Sequence, residues 1–326
     1  MSVRLTLALE RGAVHVPERG RIGVWGATAQ DDLSALPKDR VAVVQGFRPD
    51  YDALDLQGYA VSALPEGRFA LSIVFLPRSR EAARARIAEA ARLSDGPLVI
   101  DGAKTDGVEG ILREVRARAE VGEPIAKAHG KVFVATGGDF GDWADTGPRR
   151  IEGGFVTPVG VFSADGPDPG SVALAAALPA RLGPRVADLG AGWGYLTRAI
   201  LARDGVSEVH LIEADHAALA AARINVADPR VHFHWADATG FRPDAPFDVV
   251  VTNPPFHASR RADPGLGRAF IESAARMLTP RGALWLVANR HLPYELALRA
   301  AFREVAEVGG DRAFKVVHAA HPLRPR

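Results

Sequence analysis

The sequence predicts an α/β protein of two tandem units, each a mostly parallel sheet with crossover helices. Three observations carry this. At 326 residues the chain has room for about two domains of ordinary size. Short apolar runs alternate with helical patterns along both halves, the layout of strands joined by helical crossovers. Between the halves, Thr136–Arg150 is rich in Gly and Asp, lacks apolar periodicity and reads as turn or linker. The units are therefore drawn as 1–145 and 146–326.

In the first half, candidate strands are Arg21–Trp25, Arg40–Gln45, Phe69–Leu76, Leu98–Asp101 and Lys131–Ala135. Ser79–Leu93 is an Ala/Arg/Glu helix with apolar positions at Ala83, Ile87 and Ala91, and Gly107–Ala119 is a second helix. In the second half the strands are Arg185–Leu189, Glu208–Glu213, Val231–Trp235, Phe247–Asn253, Ala283–Ala288 and Phe314–Ala319. Its helices are Ser171–Leu178, Tyr195–Asp204, His216–Val226, Gly267–Leu278 and Tyr294–Ala301. No short-period repeat or low-complexity segment interrupts this pattern.

Composition narrows the function. Apolar residues make up 47% and charged residues 24%, the balance of a soluble globular protein. There is no cysteine, which removes disulfides, thiolate metal sites and a thiol nucleophile. No apolar run approaches the roughly 20 residues of a membrane span. Met1–Gly20 carries five charged residues and no cleavage pattern, so a cytoplasmic location is expected; a monomer is expected as well. A net charge of +1 permits an RNA partner without demanding one. The arginine groups at Arg78–Arg92, Arg113–Arg118 and Arg299–Arg326 read mostly as solvated faces.

The chemistry concentrates in the second half. Val186–Gly194, with Gly190, Gly192 and Gly194, is a strand entering a Gly-rich turn and then a helix. Glycines there let a ligand approach the main chain closely. The next strand ends in Glu213, whose carboxylate could take both hydroxyls of a ribose. The third is followed by Asp237, placed to accept from an adenine amino group. Dinucleotide folds use a similar turn, but Asp188 just before the glycines would repel a pyrophosphate. It suits the cationic amino-acid end of S-adenosylmethionine, with S-adenosylhomocysteine as product.

The fourth strand delivers Asn253-Pro254-Pro255-Phe256. Methylating an exocyclic amine on a base is difficult because the nitrogen lone pair is delocalised into the ring. The Asn253 side-chain carbonyl and the Pro254 backbone carbonyl could accept both N–H groups and tilt the lone pair toward the methyl. Pro254 and Pro255 stiffen the backbone, and Phe256 offers a face for the base, worth roughly 1–3 kcal/mol. Asn253 also borders the cofactor. Alignment does the rest, with no metal and no strong base.

Through these residues the chain resembles the class I methyltransferases that modify exocyclic amines. More narrowly it resembles bacterial ribosomal RNA guanine-N2 methyltransferases of the small-subunit type. The matching pieces are Pro158–Ser163, Asp165-Gly166 with Asp168, Gly170 and Ser171, Asn253–His257, Val287–Tyr294 and Arg312–Val316. Looser matches lie at Phe75–Arg80 and Gly102–Gly107. The resemblance implies two Rossmann-like methyltransferase domains, the N-terminal one degenerate and serving folding or RNA binding. That half reads Phe75-Leu76-Pro77-Arg78 where an acceptor motif would stand, and Gly23–Thr28 is a poor counterpart of the glycine loop. The resemblance also implies that Asp188, Gly190, Gly192 and Gly194 cradle the methionine part, Glu213 the ribose, Asp237 the adenine, and Asn253–Phe256 the guanine. The partner would be ribosomal RNA, within the small subunit. The family has Asn at the position of Asp237 and Gly at that of Ser259, which is followed by Arg260 and Arg261. His257 follows the motif as in the family, and Gly160–Ser163 could close over the methionine end.

Other acceptors fit the same motif: large-subunit guanine, adenine N6 or a protein glutamine. A non-catalytic RNA-binding or assembly factor is the alternative of another class, and a nicotinamide-dependent enzyme is a third, more distant one.

Overall fold

The computed structural model describes residues 3–255 and 264–323. The backbone divides into two compact units, residues 1–147 and 148–326.

The first unit contains, in order, α1 (Val3–Glu10), β1 (Ile22–Trp25), β2 (Val41–Val44), α2 (Arg48–Leu56), β3 (Ala60–Ser62), β4 (Leu71–Phe75), α3 (Arg80–Leu93), β5 (Leu98–Ala103), α4 (Val108–Arg116), β6 (Glu120–Val121), β7 (Ile125–Lys127) and β8 (Gly130–Thr136). Its sheet runs β3-β2-β1-β4-β5-β8-β6, with β7 also on β8. Strands β1 to β5 are parallel and β8 is antiparallel to β5. Every residue of β1 and β4 is buried, as parallel strands sandwiched between helices must be. Helix α3 starts where the Ser79 hydroxyl accepts from the Ala82 amide, and it buries Ala83, Ile87 and Ala90 along one face.

The second unit begins with an antiparallel pair, β9 (Arg149–Arg150) and β10 (Val156–Thr157). Then follow α5 (Pro169–Ala177), β11 (Arg185–Leu189), α6 (Tyr195–Leu201), β12 (Glu208–Glu213), α7 (His216–Asn225), β13 (Val231–Trp235), β14 (Phe247–Thr252), α8 (Pro264–Met277), β15 (Leu278–Asn289), α9 (Glu295–Ala301), β16 (Phe302–Gly310) and β17 (Phe314–Pro322). The sheet order is β13-β12-β11-β14-β15-β17-β16, with β17 antiparallel to both neighbours. Both faces are buried. Ala187, Leu189, Val250 and Leu286 pack with Ile271 and Leu298 of α8 and α9. Val186, Val249, Val251 and Val287 pack with Leu174, Leu196 and Leu219 of α5, α6 and α7.

This topology fixes where a ligand can sit. From β11 the chain winds outward through β12 to β13, then returns to β14 on the other side of β11. The crossovers diverge there and leave a crevice at the carboxyl ends of β11 and β14, where Leu189 pairs with Thr252.

The α/β class and the mostly parallel sheets read from the sequence are those observed. The sequence reading lacks α1, α2, β3, β6, β7, β9, β10 and β16, which are short or polar and carry little apolar periodicity. Strand β15 starts at Leu278, earlier than the apolar run, because an irregularity between Phe247 and Val249 lets a second short segment pair. Among the described residues, no helix is long and apolar enough to cross a membrane.

Candidate cofactor and acceptor site

The glycine loop is held open by its own backbone. The amides of Gly190 and Ala191 both donate to the Ile212 carbonyl, at 2.9 and 3.1 Å, so the loop is tied to the end of β12. Gly190, Gly192 and Gly194 have φ of 68°, 57° and 94°, left-handed values that glycine adopts without strain. A Cβ at Gly194 would lie 2.7 Å from Val226 Cγ2, whereas one at Gly192 would meet nothing within 4 Å. Gly194 is thus needed for packing, while Gly192 keeps its backbone bare toward the cleft.

That cleft, about 390 Å³ and partly open to solvent, is lined by Gly190, Gly192, Trp193, Asp168, Ser171 and Asn253 among others. Phe162 and Ser163 close one side. Trp193 Nε1 donates to the Phe162 carbonyl at 3.2 Å, and the Thr157 hydroxyl donates to the Ala164 carbonyl at 2.6 Å. The first bond joins the Gly160–Ser163 segment to the loop and the second closes that segment on itself; Ser163 has a φ of 53°, strained for a side chain.

Asp188 is fully buried at the end of β11. Its Oδ2 accepts from the Thr197 hydroxyl at 2.6 Å, while Oδ1 is buried with no partner. Burial pushes the Asp188 carboxyl up to about 7, opposed by the Thr197 bond and reinforced by the charge of Glu213. Glu213 is pushed up as well, again by burial, although the amides of Asp215 and Gly192 donate to it. Both of those bonds are 2.7 Å, so the Glu213 carboxylate locks the glycine loop to the end of β12. Asp237, following β13, has both oxygens on Thr239, at 2.8 Å from its amide and 2.7 Å from its hydroxyl. It shapes a local turn and is not among the residues lining the cleft.

Asn253 is set by three contacts across the chain. The Thr252 hydroxyl donates to the Leu189 carbonyl at 2.8 Å, pinning the end of β14 beside the loop. Asn253 Nδ2 donates to Asp168 Oδ2 and to Ser171 Oγ, both at 2.8 Å. An ionised carboxylate only accepts, so it selects the amide nitrogen and turns Oδ1 the other way. Asn253 Oδ1 is buried and has no partner. Asp168 is itself fixed as the cap of α5, accepting from the Ser171 amide at 2.9 Å. Pro254 is buried and Pro255 exposed. Phe256, His257, Ser259, Arg260 and Arg261 lie outside the described residues.

Of the residues singled out from the sequence, Gly190, Gly192 and Asn253 line one cleft, and Asp188 and Glu213 brace the loop that forms it. The sequence reading gave no role to Thr197, Thr252, Asp168 or Ser171. The Asp-x-x-Ser spacing at Asp168 and Ser171 is a helix-start signal, but nothing local announces that the cap also holds Asn253.

The family model described as methyltransferase small domain matches residues 152–318. A ribosomal RNA large subunit methyltransferase G of Streptomyces coelicolor is 36% identical over 172 residues, 50% of this chain. The match spans 45% of that relative, so this chain covers less than half of its length. A ribosomal RNA small subunit methyltransferase C of Shewanella sp. strain MR-4 is 26% identical over 275 residues, covering 80% of each chain. The solved structure of a T. thermophilus 16S rRNA N2 methyltransferase, in complex with AdoMet and guanosine, matches with a TM-score of 0.79 and 27% identity. That match covers 94% of this chain and 89% of the other.

Proposed function

Since the chain belongs to the methyltransferase small domain family, we propose that it methylates the exocyclic N2 of a guanine in small-subunit ribosomal RNA. S-adenosylmethionine is the methyl donor of this reading. The carrying observation is Asn253 Oδ1, a buried acceptor without a partner whose direction is dictated by Asp168 and Ser171. Leaving such a group unsatisfied costs about 1–3 kcal/mol, so the fold maintains an acceptor for a donor it does not itself contain. A guanine N2 amine is such a donor.

The cradle fits the cofactor on three counts. Asp188 Oδ1 is a second buried oxygen without a partner, suited to an ammonium. Gly192 leaves open space where a side chain would intrude. Glu213 already bonds the Gly192 amide and keeps lone pairs for ribose hydroxyls. Bound there, S-adenosylmethionine supplies a methyl group made electrophilic by its sulfonium. The protein's part is to orient: Asn253 Oδ1 takes one N–H of the amine, and the Pro254 carbonyl takes the other. The rigid Asn-Pro-Pro backbone holds both acceptors in place, so the gain is positional. Asp237 holds the adenine less directly, its carboxylate being turned onto Thr239.

Small-subunit RNA is favoured because both units, and not the catalytic half alone, are matched by the small-subunit relative and the T. thermophilus structure. Large-subunit guanine is the second reading, favoured by the higher identity confined to one half. In the first unit a Cβ at Gly26 would lie 1.9 Å from Arg86 Nη1, so an arginine fills the position of the cofactor loop. We assign that unit to folding or RNA binding, and the protein to the cytoplasm with its substrate. The test is transfer from labelled S-adenosylmethionine to unmodified small and large subunits, followed by nucleoside analysis. N2-methylguanosine from small subunits is expected; label on adenine, protein or large subunits would move the substrate.

A further inference from the structure

A second cluster of chemistry-bearing side chains lies at the other end of β12. Glu208 and His210 alternate along β12 and so share one face. His210 pairs in register with His232 of the edge strand β13, and His234 stands two residues further along. Four polar side chains therefore project from the same face of two paired strands.

We propose that Glu208, His210 and His232 form a binding site for a divalent transition-metal ion of the zinc class. The donor atoms of these three residues lie within 4.8 Å of one another. Glu208 Oε1 is 2.8 Å from His210 Nε2 and 3.4 Å from His232 Nε2. Donors around a tetrahedral ion with bonds of about 2.0–2.1 Å stand roughly 3.3 Å apart, so small side-chain rotations convert the cluster into a coordination set. Two imidazoles and one carboxylate select zinc-like ions over magnesium or calcium, which require oxygen shells.

The surrounding groups are those that such a ligand set needs. His210 Nδ1 is 2.9 Å from His234 Nε2, with the two ring planes nearly parallel. Without an ion, His210 donates from Nε2 to Glu208 and accepts at Nδ1 from His234. With an ion, the proton resides on Nδ1, His234 accepts it, and the His210 Nε2 lone pair is freed. One neutral neighbour thus supports both tautomers, the usual task of a histidine ligand's outer partner. Arg185 Nη1 holds the other carboxylate oxygen, Glu208 Oε2, at 3.0 Å, which leaves Oε1 aimed at the histidines. The guanidinium is also paired with Asp244 and sits over the Phe247 ring, so it does not leave the site cationic. Phe247 and Phe241 pack against His210 and His234 and wall the cluster on its inner side. His210 is buried and His232 exposed, so an ion has an entry route and an open coordination position for water.

Glu208 begins the strand that Glu213 ends, about 16 Å away at the usual rise per residue. The ion would therefore clamp the β12–β13 edge and take no part in methyl transfer, which keeps this inference independent of the proposed activity.

The test uses the full chain without an affinity tag, stripped with a chelator and titrated with zinc chloride by calorimetry and thermal melting. One zinc per chain is expected, with a melting rise on the order of 5 °C at saturation and none with magnesium chloride. His232→Ala, at an exposed position, should fold normally and bind at least tenfold more weakly. Glu208→Gln should behave likewise, and His15→Ala, in the other unit, should bind as the parent does. Cobalt(II) should give visible bands of low coordination number that vanish in His232→Ala. No binding at micromolar zinc, or binding unchanged in both His232→Ala and Glu208→Gln, overturns the proposal.

Discussion

Asp168→Ala is the sharpest perturbation of the orienting network. Two bonds are lost with one carboxylate: the cap on the Ser171 amide at 2.9 Å and the bond from Asn253 Nδ2 at 2.8 Å. The cap is worth about 1 kcal/mol, or about 2–4 °C of melting temperature for a unit of this size. The second bond is charge-assisted and worth about 1.5–3 kcal/mol. If that energy serves only to keep Asn253 Oδ1 facing the amine, kcat falls roughly 10- to 150-fold with little change in KM for S-adenosylmethionine. Ser171 Oγ alone then restrains the amide, and it tolerates either orientation because a hydroxyl both donates and accepts. Asp168→Asn keeps an oxygen for the cap and for Asn253, so its loss should be much smaller than that of Asp168→Ala. The assay is steady-state methyl transfer to small subunits, with melting measured on the same preparations. An Asp168→Ala variant with kcat within about twofold of the parent, beside an inactive Asn253→Ala, would refute the orienting role.

Four further variants test other parts of the structure. The raised Asp188 carboxyl, at about 7 against 3.8 unfolded, keeps its proton in the folded state where the unfolded chain has lost it. Stability of the ligand-free protein therefore declines from about pH 4 to pH 7, by an amount on the order of 4 kcal/mol. Asp188→Asn should flatten that decline in thermal melts and raise stability at pH 8 while weakening S-adenosylmethionine binding. Gly194→Ala, which drives a Cβ to 2.7 Å from Val226, should lower the melting temperature by about 5–10 °C. Gly192→Ala has no such clash and should lose only about 1–2 kcal/mol, yet lose at least tenfold in cofactor affinity by calorimetry. Arg86→Ala, which removes a 2.6 Å bond to the Phe75 carbonyl, should destabilise the protein by about 1–3 kcal/mol. It should leave cofactor stoichiometry at one per chain; a second bound cofactor would show that Arg86 alone keeps the first unit's loop from holding one.

What the sequence made legible follows from burial. Strands β11 and β12 match their apolar runs at both ends because parallel strands covered on both faces are rich in apolar residues; the edge strand β13, Val-His-Phe-His-Trp, alternates apolar and polar residues and is buried only at Val231. Edge strands such as β3 and β16 must face water on part of their surface, and β16 reads Phe-Arg-Glu-Val-Ala-Glu-Val-Gly-Gly, without a run to find. The glycine loop and the Asn253 turn were visible because their backbone demands restrict residue choice. The network behind them was not. Asp168 and Asn253 are 85 positions apart and meet only once the start of α5 is brought to the end of β14. The alignment of His210 with His232 likewise exists only in the register of two strands.

The two units share a strand order, so the fold does not explain why one of them carries the site; the treatment of buried polar groups does. In the first unit the buried Asp101 carboxylate is paired with Arg4 at 2.7 Å. The space before Gly26 is filled by Arg86, which donates to the Phe75 carbonyl at the end of β4. At that edge, charges are satisfied from within and the chain gains stability. In the second unit the corresponding carboxyl ends present Asp188 and Asn253. Among the described residues, these supply the buried carboxyl and amide oxygens that have no partner. Each is oriented by a neighbour that binds its other atom, Thr197 for Asp188 and Asp168 with Ser171 for Asn253. An accidental orphan would rotate or be covered, at a gain of about 1–3 kcal/mol. Here neighbouring groups prevent that rotation, so at these two positions the second unit forgoes stability. The two unpartnered acceptors, one suited to an ammonium and one to an amine, are what this loss of stability maintains.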